Sequence, residues 1–207
     1  MKSITIKDDE KYLRQVSVNV DILNDNELEE NIRVLEEYCK ENEVLAMAAV
    51  QLGIPKRLIY LKNTNLDIVS KSKEERTTEE NNYNEARVLI NPVIVKREGL
   101  TEYWEACASC LDNCGLVLRP YRINLEYFDI LGNKHSEVFE GFESTVLSHE
   151  MDHLDGVLHI DVSEELLYIP AEERRELRKK YPYKICFKTG DYDLLKKESL
   201  GKRKILK

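Results

Sequence analysis

The sequence predicts an α+β fold in which short antiparallel β-sheets surround a central helix that carries an HExxH motif. Three observations predict this class: helical periodicity near the N-terminus, several β-branched and aromatic runs in the middle of the chain, and the motif on a further helical segment. A length of 207 residues with 42% hydrophobic content is enough for one domain with its own core.

The first strong pattern is amphipathic. Residues 25–42 carry apolar side chains at steps of four, three and four, which predicts a helix that starts near an Asn or Asp cap. These side chains are Leu28, Ile32, Leu35 and Cys39. Small residues dominate the next segment, 45–55, as expected where the backbone must approach another group closely.

Short runs rich in β-branched and aromatic residues predict strands. They cover residues 57–62, 88–95, 116–118, 123–130, 137–142 and 183–188. Residues 131–134 predict a hairpin turn between two of them and hence antiparallel pairing. The motif helix is expected at 142–154, with Gly156 at a natural left-handed cap position, and a charged helix should follow Pro170.

Charge is unevenly distributed along the chain. The net charge of −8 argues against bulk attraction to nucleic acid, yet residues 174–207 contain thirteen Lys or Arg and four Asp or Glu. This pattern predicts a basic C-terminal extension on an acidic body. Residues 70–86 are charged, nearly free of aliphatic side chains and without periodicity, which predicts a surface insertion.

The sequence shows no apolar stretch long enough to span a membrane and no signal peptide, so we expect a cytoplasmic location and no membrane association. An odd number of cysteines in a chain of this size favours a reducing compartment. They are Cys39, Cys107, Cys110, Cys114 and Cys186. Three of the five lie within eight residues, which suggests a chemical use.

Residues 149–153, HEMDH, form an HExxH motif. Positions i and i+4 lie on one face of a helix, so the imidazoles of His149 and His153 can bind one metal ion, while Glu150 lies beside it as a general acid and base. Asp152, between them, could orient the histidines, but a solvated helix residue is the favoured expectation.

Catalytic metal sites usually take three ligands from the protein, and the sequence offers several candidates for the third. His159 completes HExxHxxGxxH, the pattern of metzincin proteases, but these also need a methionine turn, and no methionine follows Met151. Cys107 and Cys110 are the other candidates. As a CxxC pair they would also suit half of a zinc knuckle, although no second pair follows.

Three segments resemble the motifs GxGLAxxQ, EGCLS and HExxH of the peptide deformylase family, in the same order. They are residues 45–51 (LAMAAVQ), 105–109 (EACAS) and 149–153 (HEMDH). The resemblance implies that Cys107 is the third metal ligand. Placing Cys107 in the motif, rather than Cys110, keeps the Glu and Ser of the motif in position.

The resemblance also implies roles for other residues. Gln51 and the backbone N–H of Ala108 would hold the carbonyl oxygen, and Glu150 would be the acid and base. Fe²⁺ would be the native metal, with Zn²⁺, Ni²⁺ or Co²⁺ as alternatives; the ligand types alone suggest zinc. The substrates would be N-formylmethionyl nascent peptides, from which the enzyme releases formate.

A substrate pocket is expected beside the motif helix. Its expected lining residues are Ala46, Met47, Phe142, Thr145 and Val146. The last three precede His149 by seven, four and three positions and so share its face of the helix. By resemblance, this pocket holds a methionine side chain.

The chain departs from the family motifs at several positions. Val44, Ala46 and Ala106 stand where the family has glycine, and Ala108 stands where leucine is usual. The added methyl groups can narrow the cleft, whereas the Ala108 substitution spares a contact made by the backbone.

These observations predict a deformylase-like catalytic domain at 1–170, with the surface insertion at 70–86, and a basic C-terminal extension at 171–207. The extension has a candidate partner in the ribosome, because Lys and Arg bind RNA phosphates. Two alternatives remain at this stage: an HExxH metalloprotease, and a deformylase-like protein with reduced or lost activity.

Overall fold

The computed structural model describes residues 2–62 and 86–205. Its helices are α1 (Ile6–Leu13), α2 (Leu28–Glu41), α3 (Gly141–Leu154), α4 (His159–Val162), α5 (Ala171–Lys180) and α6 (Tyr192–Ile205), with 3-10 helices at Ala49–Leu52 and Ala108–Cys110. Its strands are β1 (Ala46–Ala48), β2 (Leu58–Leu61), β3 (Arg87–Ala106), β4 (Asn113–Arg119), β5 (Arg122–Phe128), β6 (Lys134–Glu140), β7 (Ser163–Tyr168) and β8 (Lys184–Asp191). The predicted insertion 70–86 lies outside the described residues except for Ala86.

All of the described strands belong to one antiparallel sheet built around β3. The first half of β3 lies between β2 and β5, and its second half lies between β4 and β8. β1, β6 and β7 extend the sheet beyond β2, β5 and β4. The predicted mixture of helices and antiparallel strands is confirmed. The expectation of several short sheets is wrong, because β3 has 20 residues and connects both halves of one sheet.

β3 pairs with strands in both halves of the sheet because it bends at two positions. Asn91 has a φ of 51° and Gly99 a φ of 70°, and the pairing register shifts beside each of them. A Cβ on Gly99 would lie 2.4 Å from the carbonyl oxygen of Phe187, so the bend requires glycine. The Asn91 side chain bonds both backbone groups of Val20, at 2.8 and 2.9 Å. These contacts fix the direction of β3 before it reaches the site.

The core is formed by helices that pack against the two halves of the sheet. The four apolar side chains predicted for α2 are all buried, which confirms the periodicity. On α3, Leu147 and Leu154 are fully buried beside Leu125 and Phe139. Burying a leucine side chain stabilises a fold by roughly 1.5–3 kcal/mol. This packing fixes α3, the helix with the HExxH motif, against strands of both halves.

The sequence predicted the ends of these helices only in part. The expected Asn or Asp cap of α2 is wrong, because α2 follows Glu27, which makes no capping hydrogen bond. The α3 prediction is closer: the helix ends at Leu154, and Gly156 has a φ of 74°. A Cβ there would lie 2.3 Å from the carbonyl oxygen of Arg14, so glycine also permits the close approach of the α1 end.

The C-terminal segment packs against the sheet. β8 pairs with the second half of β3, and the buried Tyr192 ring begins α6. The Tyr192 hydroxyl donates a hydrogen bond to the carbonyl oxygen of Leu118 at 2.9 Å. This part of the basic extension is therefore docked on the strands that lead to the site. None of the helices in the described ranges is long and apolar enough to cross a bilayer.

Candidate metal centre

Three metal-binding side chains converge where β3 meets α3. Cys107 directly follows β3, and His149 and His153 lie one turn apart on α3. One ligand atom from each lies within 4.8 Å of the others. The Cys107 Sγ is 3.2 Å from the His153 Nε2, and the two imidazole centroids are 5.0 Å apart. A thiolate and two imidazoles fit a divalent ion with a further position left open.

The electrostatics of this group favour the thiolate form of Cys107. A hydrogen bond from the Cys110 thiol, together with His153, holds the pKa of Cys107 well below its ordinary value despite burial. Burial alone would lower the pKa of His149, but its hydrogen bonds to Cys107 and Glu105 raise it well above its ordinary value. The site therefore stabilises the Cys107 thiolate, the form of cysteine that binds metal ions.

Cys110 is the second cysteine candidate and has the opposite character. Its hydrogen bond to Cys107 and its burial both raise the pKa of the Cys110 thiol. Cys110 is fully buried beside Cys107 and Leu13. The geometry brings Cys107, and not Cys110, together with the two histidines.

His159, the third histidine of the extended motif, lies behind the group. Its ring stacks on His149 with centroids 5.7 Å apart, and it is almost completely buried. Neither of its ring nitrogens has a hydrogen-bond partner among the described residues. Burial, together with the nearby His149, lowers the pKa of His159 to about 4, so its imidazole is neutral at pH 7. His159 is not one of the three converging ligands.

A series of hydrogen-bonded charged groups fixes the orientation of the His149 ring. Its Nδ1 lies 2.8 Å from an oxygen of Glu105, and the Arg119 guanidinium binds both oxygens of that carboxylate at 2.9 and 3.0 Å. Arg119 also binds Asp152. The expectation that Asp152 is a solvated helix residue is therefore wrong. Burial would raise the pKa of Glu105, but Arg119 keeps it well below its ordinary value.

Glu150 lines the same cavity as Cys107 and His149, and the backbone N–H of Ala48 donates to its carboxylate at 2.8 Å. Burial raises the pKa of Glu150, although His149 and His153 oppose this effect. A carboxyl group with a raised pKa can both accept and return a proton near neutral pH. The contact with Ala48 also ties α3 to β1.

Gln51 and Ala108 flank Cys107. The Gln51 Nε2 donates to Ser109 Oγ at 3.1 Å and lies 3.4 Å from Cys107 Sγ, and its Oε1 accepts a hydrogen bond from Ala48 N–H. These contacts fix the orientation of the amide. Ala108 is the first residue of a 3-10 helix, where a backbone N–H has no partner within the helix. The donors of both residues therefore lie beside the candidate metal ligands.

A cavity of about 490 Å³ opens in front of this group. All five residues predicted for the substrate pocket line it: Ala46, Met47, Phe142, Thr145 and Val146. Sequence reasoning missed four further lining residues, Tyr38, Asn42, Tyr103 and Arg178. Tyr38 and Asn42 lie at the end of α2, where a periodic pattern predicts a core face but not which exposed residues border a cleft. Arg178 comes from the charged helix α5.

Comparison with known proteins gives consistent results. A family model described as polypeptide deformylase matches residues 1–167. A peptide deformylase of Pelagibacter ubique is 32% identical over 165 residues, which is 78% of this chain and 85% of the relative. A peptide deformylase of Rhizorhabdus wittichii is 34% identical over 172 residues, or 81% of this chain and 92% of the relative. A crystal structure of a peptide deformylase from Synechococcus elongatus in complex with actinonin has a TM-score of 0.64 at 30% identity and covers 87% of each chain.

Proposed function

Since this chain belongs to the polypeptide deformylase family, we propose that Cys107, His149 and His153 hold the metal ion of its hydrolytic site. The enzyme is a metal-dependent hydrolase that removes the N-terminal formyl group from formyl-methionyl peptides of newly made proteins and releases formate. The observation that carries the assignment is that residues from all three sequence motifs line one cavity.

We propose Fe²⁺ as the native ion, with Zn²⁺, Ni²⁺ or Co²⁺ as alternative occupants. A thiolate with two imidazoles suits each of them, and the resemblance to the family favours iron. When bound, the ion would activate a water molecule and polarise the formyl carbonyl group. Metal analysis of protein purified without oxygen tests this choice, because Fe²⁺ should then be present at about one equivalent.

The side chains of this protein supply the proton transfers and the orientation. Glu150 accepts a proton from the attacking water and delivers it to the amine that leaves with the peptide. The Gln51 amide and the Ala108 N–H donate hydrogen bonds to the formyl oxygen as negative charge develops there. The support for these roles is that Gln51 is fixed by Ser109 and Ala48, and that burial raises the pKa of Glu150.

The first side chain of the substrate, methionine, occupies the apolar part of the cavity. Phe142, Thr145 and Val146 face this part from α3, and Ala46 and Met47 face it from β1. Ala46 is one of the positions where the family has glycine, so its methyl group narrows the cleft. A thioether chain is unbranched and adaptable, which suits a cavity with such a constriction.

We assign catalysis to residues 1–170 and a ribosome contact to the basic extension 171–207, in the cytoplasm, where nascent chains emerge. The support is the excess of Lys and Arg in this segment and the exposure of Arg175, Lys179 and Lys184. Replacing these three by glutamine should reduce co-sedimentation with ribosomes at low salt and leave hydrolysis of formyl peptides unchanged. Unchanged co-sedimentation would reject the contact.

Formate release from formyl-Met-Ala-Ser tests the function, with the iron protein kept free of oxygen. We expect stoichiometric formate and free Met-Ala-Ser, and loss of turnover in Glu150→Gln, which keeps the shape of the side chain but cannot carry the proton. Cleavage inside the peptide without formate would instead support a metalloprotease. Absence of both products would support a deformylase-like protein that has lost activity.

A further inference from the structure

A segment beyond the family match forms part of the substrate cavity. The match to the family ends at residue 167, and α5 begins at Ala171. Arg178 of α5 nevertheless lines the same cavity as Cys107 and Glu150. Tyr183, which follows α5, supports this wall from behind, because its ring packs against Phe142 with centroids 5.6 Å apart.

Two contacts fix the plane of the Arg178 guanidinium. Its Nε donates a hydrogen bond to the carbonyl oxygen of Trp104 at 3.0 Å. Its guanidinium carbon lies 5.1 Å from the centroid of the Tyr103 ring. That ring is itself held edge-on against Phe142 and Tyr183, at centroid distances of 5.3 and 5.9 Å. The arginine is therefore oriented before any substrate arrives.

The terminal nitrogens of Arg178 remain available. Among the side chains that the structure describes, within residues 2–62 and 86–201, they have neither a hydrogen bond nor an ion pair. Arg174, one turn earlier on α5, is by contrast occupied by Asp112 and by the carbonyl oxygen of Leu111. The carboxylate of Glu105, in the same cavity, is already held by Arg119.

We propose that Arg178 is a specificity-determining residue that binds a carboxylate of the substrate peptide downstream of formyl-methionine. This inference rests on the function proposed above. An oriented guanidinium with free terminal nitrogens forms two parallel hydrogen bonds to a carboxylate. The carboxylate comes from an Asp or Glu side chain at the second or third residue, or from the C-terminus of a short peptide. An extended peptide advances about 3.3 Å per residue, so these residues lie beside the methionine pocket.

Paired peptides test the proposal and separate the two carboxylate sources. Two pairs test a side-chain carboxylate: the C-terminal amides of formyl-Met-Glu-Ala and formyl-Met-Ala-Glu, each compared with its Gln counterpart. A third pair, formyl-Met-Ala-Ser with a free and with an amidated C-terminus, tests the C-terminal carboxylate. We expect kcat/KM about tenfold higher for the carboxylate member of at least one pair, mainly through KM. Arg178→Gln should remove this preference, so that kcat/KM becomes equal for the two members of each pair.

Matched variants make the test specific. Arg175→Gln removes the same charge from an exposed position of α5 that does not line the cavity, and it should keep the preference. Arg178→Lys should keep a smaller preference, because an ammonium retains the charge without the planar fork. Equal thermal midpoints for the two glutamine variants show that both are folded.

Binding of product peptides gives a second readout that does not depend on turnover. The wild-type protein should bind the amide of Met-Ala-Glu or Met-Glu-Ala about tenfold more tightly than the Gln counterpart, and Arg178→Gln should bind both members equally. A preference that survives in Arg178→Gln, or equal use of both members by the wild type, overturns the proposal. Failure to hydrolyse any formyl peptide rejects the proposed function instead, and the binding comparison then decides on Arg178.

Discussion

The Sγ of Cys107 lies 3.2 Å from the Nε2 of His153, although 46 positions separate them in the chain. The bend of β3 at Gly99 directs Cys107 toward α3, and the packing of α3 on the sheet fixes His153. The candidate metal centre therefore depends on two elements that meet only in the folded protein. Cys110, which the sequence could not separate from Cys107 by residue type alone, lies outside the group.

Cobalt substitution distinguishes the two cysteines. A thiolate ligand to Co²⁺ gives a charge-transfer band in the near ultraviolet, and we expect this band in the wild-type protein. Cys107→Ala should abolish the band because it removes the only thiolate of the group. Cys110→Ala should keep it, since burial and the hydrogen bond to Cys107 favour the thiol form of Cys110. A band that persists in Cys107→Ala would contradict the ligand assignment.

Gln51→Ala should lower kcat by about 10²–10³-fold, the usual effect of removing one donor to a developing oxyanion. The metal content should stay near that of the wild type, because the ligands are unchanged. Formate release and metal analysis on the same sample measure both quantities. Gln51 also binds Ser109, so Ser109→Ala is the matched control: it removes this contact but not the donor. Equal losses of kcat in both variants would indicate that Gln51 acts only through packing.

Arg119→Met should destabilise the protein by about 3–5 kcal/mol, because it leaves the buried Glu105 carboxylate with His149 but without its arginine partner. Urea unfolding of the metal-free protein measures this loss. Adding Glu105→Gln should recover part of it, because the buried charge is then gone. Asp152→Asn should cost less, since 27% of that side chain is exposed. Equal losses in Arg119→Met and Asp152→Asn would contradict a central role for the pair of Arg119 and Glu105.

The sequence predicted best what depends on local spacing. The apolar steps of α2 and the two histidines on one face of α3 follow from helical geometry, and both agree with the structure. β7 was missed because four of its six residues are exposed, so it lacks the alternation of a half-buried strand. The link from Asp152 through Arg119 to Glu105 was missed because it depends on the tertiary fold. Arg119 is 14 positions from Glu105 and 33 positions from Asp152 in the chain. The contribution of Arg178 to the cavity was missed for the same reason, since the docking of α5 depends on the sheet.

The docked extension predicts that Tyr192 stabilises the whole domain. Its ring is buried in a cluster with Leu100 and Leu118 of the strands that precede the site. Tyr192→Phe should cost about 0.5–1.5 kcal/mol, the usual effect of losing one hydrogen bond. Tyr192→Ala should cost about 3–5 kcal/mol, as for other large aromatic truncations in a core. Urea unfolding provides the measurement, with Tyr181→Phe at an exposed position as control. A negligible effect of Tyr192→Ala would show that the extension is dispensable for stability.

The raised pKa of the buried Cys39 thiol predicts that the protein loses stability at alkaline pH. Burial of Cys39 on the core face of α2 raises the pKa of its thiol to about 12, whereas a thiol in an unfolded chain has a pKa of about 8.5. Between these values the unfolded chain loses the proton and the folded protein keeps it, so the free energy of unfolding falls as the pH rises. From pH 8 to pH 10 this one thiol should contribute a decrease of about 2 kcal/mol. Urea unfolding at both pH values, compared between the wild type and Cys39→Ala, isolates it from the other titrating groups. The variant should be less stable at pH 8, because it leaves a cavity, but should lose less stability on going to pH 10. Equal losses in both proteins would mean that Cys39 ionises as easily in the folded state as in the unfolded chain.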